Sequence, residues 1–172
     1  MRQFTSDELR KAWKQFYIDR GHVDVGAVSL VSDGSTGVMF NVAGMQPLMP
    51  YLLGQKHPLG TRLCNVQGCV RTNDIDSVGD KSHVTFFEMM GSWSLGDYFK
   101  KEAINWAWEY LVEVLKLDPN RLYATVFEGS ASEGLERDNE AAGYWEQYLP
   151  KDRIINGNKK DNFWEMGDTG PC

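Results

Sequence analysis

Two strand-like runs near the middle of the chain, Thr61–Arg71 and His83–Met90, do most to fix what it can fold into. They are separated by the polar, glycine-containing stretch Thr72–Ser82. Strands joined in this way form an antiparallel pair, and a connection of this length is where binding residues are commonly carried. With side chains alternating along a strand, Asn65, Gln67, Cys69 and Arg71 leave from one face while Cys64, Val66 and Val70 leave from the other. A polar face on a central strand needs a reason. Arg71 closes the first run, and its permanently charged, forked guanidinium suits phosphate and carboxylate oxygens. On the facing run Glu88 lies between Phe87 and Met89, where a carboxylate is costly to bury unless it has a partner. The expectation is that Arg71 and Glu88 face a common cleft, and that the second strand ends in the glycine-aromatic turn GSWSLGDYF.

Around this pair the pattern alternates. Thr5 and Glu8 form a capping box, and Leu9, Trp13, Phe16 and Tyr17 share one face of a helix that Gly21 stops. Val23–Val31 reads as extended and Val38–Phe40 as a short apolar strand. The proline- and glycine-rich NVAGMQPLMPYLLGQKHPLG then forbids a long regular element. Further on, helices are expected over Lys100–Leu115 and Glu133–Leu149, a strand over Leu122–Phe127, and an extended piece at Ile154 and Ile155. Regular βα alternation is missing, so the class expected is α+β with a mainly antiparallel sheet flanked by helices.

The chain has 172 residues, enough for a single domain over 1–172 with a real core. A net charge of −6 lacks the basic footprint of an independent nucleic-acid binder. No apolar run approaches the roughly 20 residues needed to cross a bilayer, and the charged start MRQFTSDELRKAW lacks the core of a signal peptide, so a cytoplasmic protein is expected. Cys64, Cys69 and Cys172 are odd in number and lack paired spacing; reduced thiols are expected, with no metal site and no disulfide framework. Of the histidines, His22 and His57 read as surface or turn residues and His83 as structural or positioning.

The run RLCNVQGCVRTNDIDSVGDKSHVTFFEMMGSWSLGDYF, together with RGH, FNVAGMQPLMPYLLG, ATVFEG and DNFWEMGDTGPC in that setting, resembles the adenylate-forming pocket of the alanyl-tRNA synthetases, a class II family. The resemblance covers essentially the whole chain and implies a class II-like sheet, incomplete at the C-terminus, from the N-terminal part of the aminoacylation domain. It implies that Arg71 binds the α-phosphate of ATP and the amino-acid carboxylate. It also implies that Glu88 helps enclose the ATP, with Phe86 or Phe87 near the adenine plane and Met89 or Met90 offering backbone groups to its edge. Met45 would approach the amino-acid pocket, Trp164 would wall it, and Asp168 would belong to it. A bulky wall rejects larger side chains by sterics, whereas glycine, short of one methyl, is rejected by only ~1–3 kcal/mol, so glycine and serine should leak through. The implied substrates are alanine, ATP with Mg2+ as its counter-ion, and tRNA(Ala), the last contacted mostly beyond this chain. No zinc site is implied.

The match departs from the family at one place and stops at another. Members usually carry a glycine-lysine pair soon after the arginine; here Arg71 runs into TNDIDSVG, leaving Lys81, or Lys100 or Lys101, to substitute. The residue that anchors the amino group and the third signature motif would follow Cys172, so this stretch alone is expected to be inactive. Two other readings stay open: a non-catalytic fragment that binds nucleotide weakly or serves a structural role, and a zinc hydrolase using His83 and Glu88, which lacks a third ligand at plausible spacing.

Overall fold

A computed structural model describes residues 3–34, 37–73 and 75–162. The chain divides into two compact units, one over Phe4–Asp97 and the other from Tyr98 onward with the first three residues.

In the first unit, helix α1 (Ser6–Ile18) starts at the expected capping box: Thr5 Oγ1 accepts from Glu8 N and Glu8 returns a carboxylate to Thr5 N. It buries Phe16 and Tyr17, and Trp13 donates its indole N–H to Gly91 O at 3.1 Å. Gly21 leaves the helix at φ +80°, a conformation that a side chain would strain. His22 is not at the surface as expected but buried. Its Nδ1 lies 3.0 Å from Tyr17 O and its ring stands edge-on to Tyr17, and burial pushes its imidazole below the ordinary value.

Strand β1 (Val23–Asp24) pairs parallel with β2 (Arg62–Val70), and β2 pairs antiparallel with β3 (Phe86–Ser94) from Arg62↔Ser94 to Val70↔Phe86. The sheet is therefore mixed rather than simply antiparallel, because the long passage from β1 to β2 is enough for the chain to return in the same direction. That passage holds an isolated bridge, Val31↔Phe40, where a strand over Val38–Phe40 was expected, and a short helix α2 (Met49–Leu52).

β3 starts later than expected and runs on through Gly91 and Trp93, which the sequence reading placed in a turn. A Cβ on Gly91 would come within 2.5 Å of Trp93 Cζ2 and 2.7 Å of Asn65 Oδ1. The glycine thus makes room for the indole on the sheet and is not a chain-reversal device. The reversal falls at Gly96 (φ +72°). Asp97, which follows it, accepts from Thr61 Oγ1 and Arg62 Nε, both at 2.8 Å.

The polar face of β2 has its reason. Asn65 Oδ1 accepts from Trp93 Nε1 at 3.0 Å. Gln67, 1% exposed, accepts from Val28 N and donates to Val28 O. The Gln67 amide thus serves as the backbone partner of Val28 and binds irregular chain to the sheet, while Asn65 fixes the Trp93 indole on β3. Gly68 on the other face is overlain by the Phe86 ring, 3.3 Å from where a Cβ would stand.

Cys64, on the face opposite Gln67, is fully buried, and burial pushes its thiol from 9.0 up to about 11. A group whose folded-state value is raised stabilises fully below its unfolded value and loses that contribution as pH rises through the folded one. Between pH 9 and 11 the thermal midpoint should therefore fall, and Cys64→Ala should flatten that part of the profile while lowering the midpoint throughout. A parallel pH profile in the variant would refute this.

In the second unit, α3 (Lys100–Glu109) continues as a π-helical turn, Tyr110–Val114. β4 (Ala124–Phe127), α4 (Asn139–Trp145) and β5 (Ile154–Gly157) form a βαβ arrangement with β4 and β5 parallel. α4 begins later than expected because Gly134, at φ +68°, ends a preceding turn and Asp138 then caps, accepting from Ala141 N at 2.9 Å. Trp108 stacks on Tyr148, whose hydroxyl donates to Asn105. A one-turn helix, α5 (Lys159–Asn162), follows β5. No helix among the described residues is long and apolar enough to cross a membrane.

Candidate functional site

Register decides which candidate residues can act together. Residues opposite one another in an antiparallel pair share a face, so Gln67 with Met89 and Cys69 with Phe87 make one face, and Val66 with Met90 and Gly68 with Glu88 make the other. Arg71 continues the ladder just past β2, donating its N–H to Thr85 O at 2.9 Å, and falls on the Gln67 face. Its guanidinium carbon lies 5.4 Å from the centre of the Phe87 ring. The expected common cleft of Arg71 and Glu88 is therefore corrected: they leave opposite faces, as strict alternation requires where no bulge intervenes.

Glu88 has a partner, as expected, but at an exposed position where burial does not demand one. Arg10 of α1 grips it with Nε at 2.9 Å and a terminal nitrogen at 2.8 Å, and reaches Asp7 at 2.7 Å with the other. Nothing in the sequence singled Arg10 out, because it lies off the apolar face of α1 and 78 residues from Glu88. Backbone groups in an antiparallel ladder alternate between the two edges. Since Arg71 bonds Thr85, the same alternation turns the N–H and C=O of Glu88 and Met90 to the outer edge of β3.

Arg71 borders a cleft of about 540 Å³ lined by Val38, Met39, Phe40, Val42, Val70 and Thr72, among others. Met39 is 79% exposed. Arg71 Nε donates to Val42 O at 3.0 Å. Among the described residues its two terminal nitrogens make no ion pair, so a residue that borders the cleft has them uncommitted to a carboxylate. Met45 is buried, and its neighbour Gly44 lies against Met89, Trp93 and Gln67, with Gly44 N 3.3 Å from the Met89 sulfur. The loop bearing Met45 thus covers the Arg71 face.

Trp164 and Asp168 lie outside the described residues. Phe86 sits on the face away from Arg71 and is 57% exposed. His83 is bound to Asp80, which also accepts from His83 N and Ser82 N, so the pair organises the loop. His57 Nδ1 accepts from Leu59 N in a turn. Lys81 and Lys101 are exposed, while Lys100 is tied to Asp138 and Glu140. Among the described residues no three His, Cys, Asp or Glu side chains gather to hold a metal.

Residues 8–172 match the family described as tRNA synthetases class II (A), and the chain belongs to it. Similar curated proteins are the Alanine--tRNA ligase of Parabacteroides distasonis, 60% identical over 173 residues, and that of Porphyromonas gingivalis, 57% identical over 173 residues; each alignment covers 98% of this chain and 20% of the relative. The Alanine--tRNA ligase of Treponema denticola is 50% identical over 175 residues, covering 99% of this chain and 29% of the relative. The chain spans about a fifth of the length of the first two relatives.

Proposed function

We propose that this chain supplies part of the adenylate-forming site of an alanine–tRNA ligase, with both compact units belonging to one aminoacylation domain. The observation that carries the reading is the fork of Arg71, held by Val42 O and, among the described residues, with its terminal nitrogens uncommitted to a carboxylate, on the face covered by the Met45 loop. In this reaction an alanine carboxylate oxygen attacks the α-phosphorus of ATP and pyrophosphate leaves. No base is required, since the carboxylate is ionised at neutral pH. The task is positioning and neutralising charge, which a directed guanidinium performs.

Arg71 then bridges the carboxylate and the α-phosphate. Phe87 and Met89, on the same face, border the nucleotide. Glu88 and Met90 offer backbone groups at the outer edge of β3, while the Glu88 carboxylate braces β3 through Arg10. Met45, Trp164 and Asp168 are the residues to which alanine recognition is assigned, the last two by family resemblance. Mg2+ would arrive on the phosphates of ATP and supply counter-charge. The adenylate is passed to tRNA(Ala), which is contacted largely by other parts of the enzyme, in the cytoplasm. A mainly antiparallel class II sheet would be completed by strands outside this stretch.

The test is ATP–pyrophosphate exchange and tRNA(Ala) charging by the complete enzyme. Exchange should depend on alanine, with slower exchange from serine and glycine. Exchange driven by another amino acid, or none with any, would overturn the reading. Because Glu88 acts away from the Arg71 face in a half-exposed pair, Glu88→Gln should change exchange by no more than about threefold. A loss as large as that of an Arg71 variant would show that its carboxylate contacts the reactants.

A further inference from the structure

Arg71 is held by a backbone carbonyl, and that carbonyl is itself held. Val42 N donates to Gln46 Oε1 at 2.9 Å, Val42 O accepts from Arg71 Nε at 3.0 Å, and the preceding carbonyl, Asn41 O, accepts from Val70 N at 3.0 Å. Gln46 N in turn donates to Ala43 O at 3.2 Å, closing a turn that returns the Gln46 side chain onto Val42. From these contacts we infer that Gln46 is a positioning residue for Arg71, orienting the Val42 peptides so that the guanidinium presents its two terminal nitrogens as a pair. The inference rests on the proposed role of Arg71 in adenylate formation.

The geometry shows why such a prop is needed. Arg71 lies just past the end of β2, where the strand no longer limits its rotamers, and both side chains carry large conformational freedom. Two contacts restrain it: the Val42 carbonyl and the Phe87 ring. The ring, 5.4 Å away, gives attraction but little direction. The carbonyl gives direction, and only if its own peptides are fixed. The Asn41 carbonyl and the Val42 N–H belong to one peptide, held on one side by Val70 N–H and on the other by the Gln46 side chain, while Gln46 N–H holds the Ala43 carbonyl just beyond the Val42 carbonyl. Since Arg71 spends Nε on Val42, the edge left over is the one whose parallel N–H vectors suit a pair of anionic oxygens. Val42 is about one-third exposed, so packing does not hold it in place of Gln46.

Gln46→Met keeps length and removes the acceptor, whereas Gln46→Glu keeps an acceptor oxygen. In the complete enzyme, Gln46→Met should lower kcat for alanine-dependent pyrophosphate exchange by about tenfold, the worth of one such hydrogen bond, with KM for ATP and alanine changed by less than about threefold. Gln46→Glu should restore most of the loss. The decisive measurement is a double-mutant cycle with Arg71→Ala, which has no donor to offer Val42. In that background Gln46→Met should have almost no further effect, since a residue acting only through another has nothing left to act on. An equal loss in both backgrounds, a wild-type rate in Gln46→Met, or a Gln46→Glu enzyme as slow as Gln46→Met would each overturn the inference. If Arg71→Ala and Arg71→Lys both retain wild-type exchange, it is the site assignment that fails. Thermal melts of all variants separate these results from unfolding.

Discussion

Replacing Arg71 with alanine in the complete enzyme should lower alanine-dependent pyrophosphate exchange by at least about a hundredfold, since removing one preorganised donor to developing charge costs about 2.7–4 kcal/mol. The loss should appear in kcat more than in KM, because in the proposed role the guanidinium would contact the α-phosphate most strongly as the new bond to phosphorus forms. Folding should survive. Arg71 is exposed, and the bonds lost are one to Val42 O and a loose contact with Phe87. Arg71→Lys should recover little, because a single ammonium cannot bond Val42 O and grip two oxygens at once. Unchanged exchange with an unchanged melting curve would make Arg71 an ordinary surface charge.

The largest effect on stability is expected at Gly91. Alanine there would place Cβ 2.5–2.6 Å from two carbons of the Trp93 ring and 2.7 Å from Asn65 Oδ1, distances that real Cβ atoms do not show. Either the indole must leave, breaking its 3.0 Å bond to Asn65, or the strand must shift. Asn65 is 2% exposed, so its carbonyl would be stranded without a partner. Overpacking of this kind costs about 1–3 kcal/mol, and with the lost bond the midpoint for this domain should fall by roughly 5–10 °C. Gly143→Ala is the control. That glycine lies exposed in α4 with open space around it, and alanine should hold or raise the midpoint by virtue of helix propensity. Equal behaviour of the two variants would show that the Trp93–Asn65 contact does not constrain β3.

Local chemistry made much of the molecule legible. The capping box at Thr5, the strand pair around Arg71 and the polar face of β2 all follow from residue pattern; Glu88 has its partner too, though at an exposed position and not for want of water. What escaped was set by contacts distant in sequence. Alternation within one strand already placed Phe87 and Glu88 on opposite faces, but putting Arg71 on the Phe87 side required the register between two strands, which a long loop leaves undetermined. The partner of Glu88 sits 78 residues away on a helix. Gly91 looked like a turn because glycine often marks one; its role as space for an indole needed the ring in place. The parallel pairing of β1 and β2 depends on the route of a long irregular passage that pattern cannot trace. Of the candidate site, the arginine was readable from its residue type and setting, whereas the Val42 carbonyl that aims it was not, since any residue there supplies the same backbone.

The Gln67 amide has one more consequence. Because it bonds both the N–H and the C=O of Val28 from a fully buried position, Val28 lies outside every strand yet is tied to the centre of the sheet. In a deuterium-exchange experiment its amide should stay protonated far longer than those of the exposed residues around it, opening only when β2 itself opens. Gln67→Leu should release Val28 to exchange at loop rates while leaving the β2–β3 ladder slow. A residue that lies in no regular element would thus exchange as part of the sheet's most persistent cooperative unit, its own peptide groups fastened there by the Gln67 side chain.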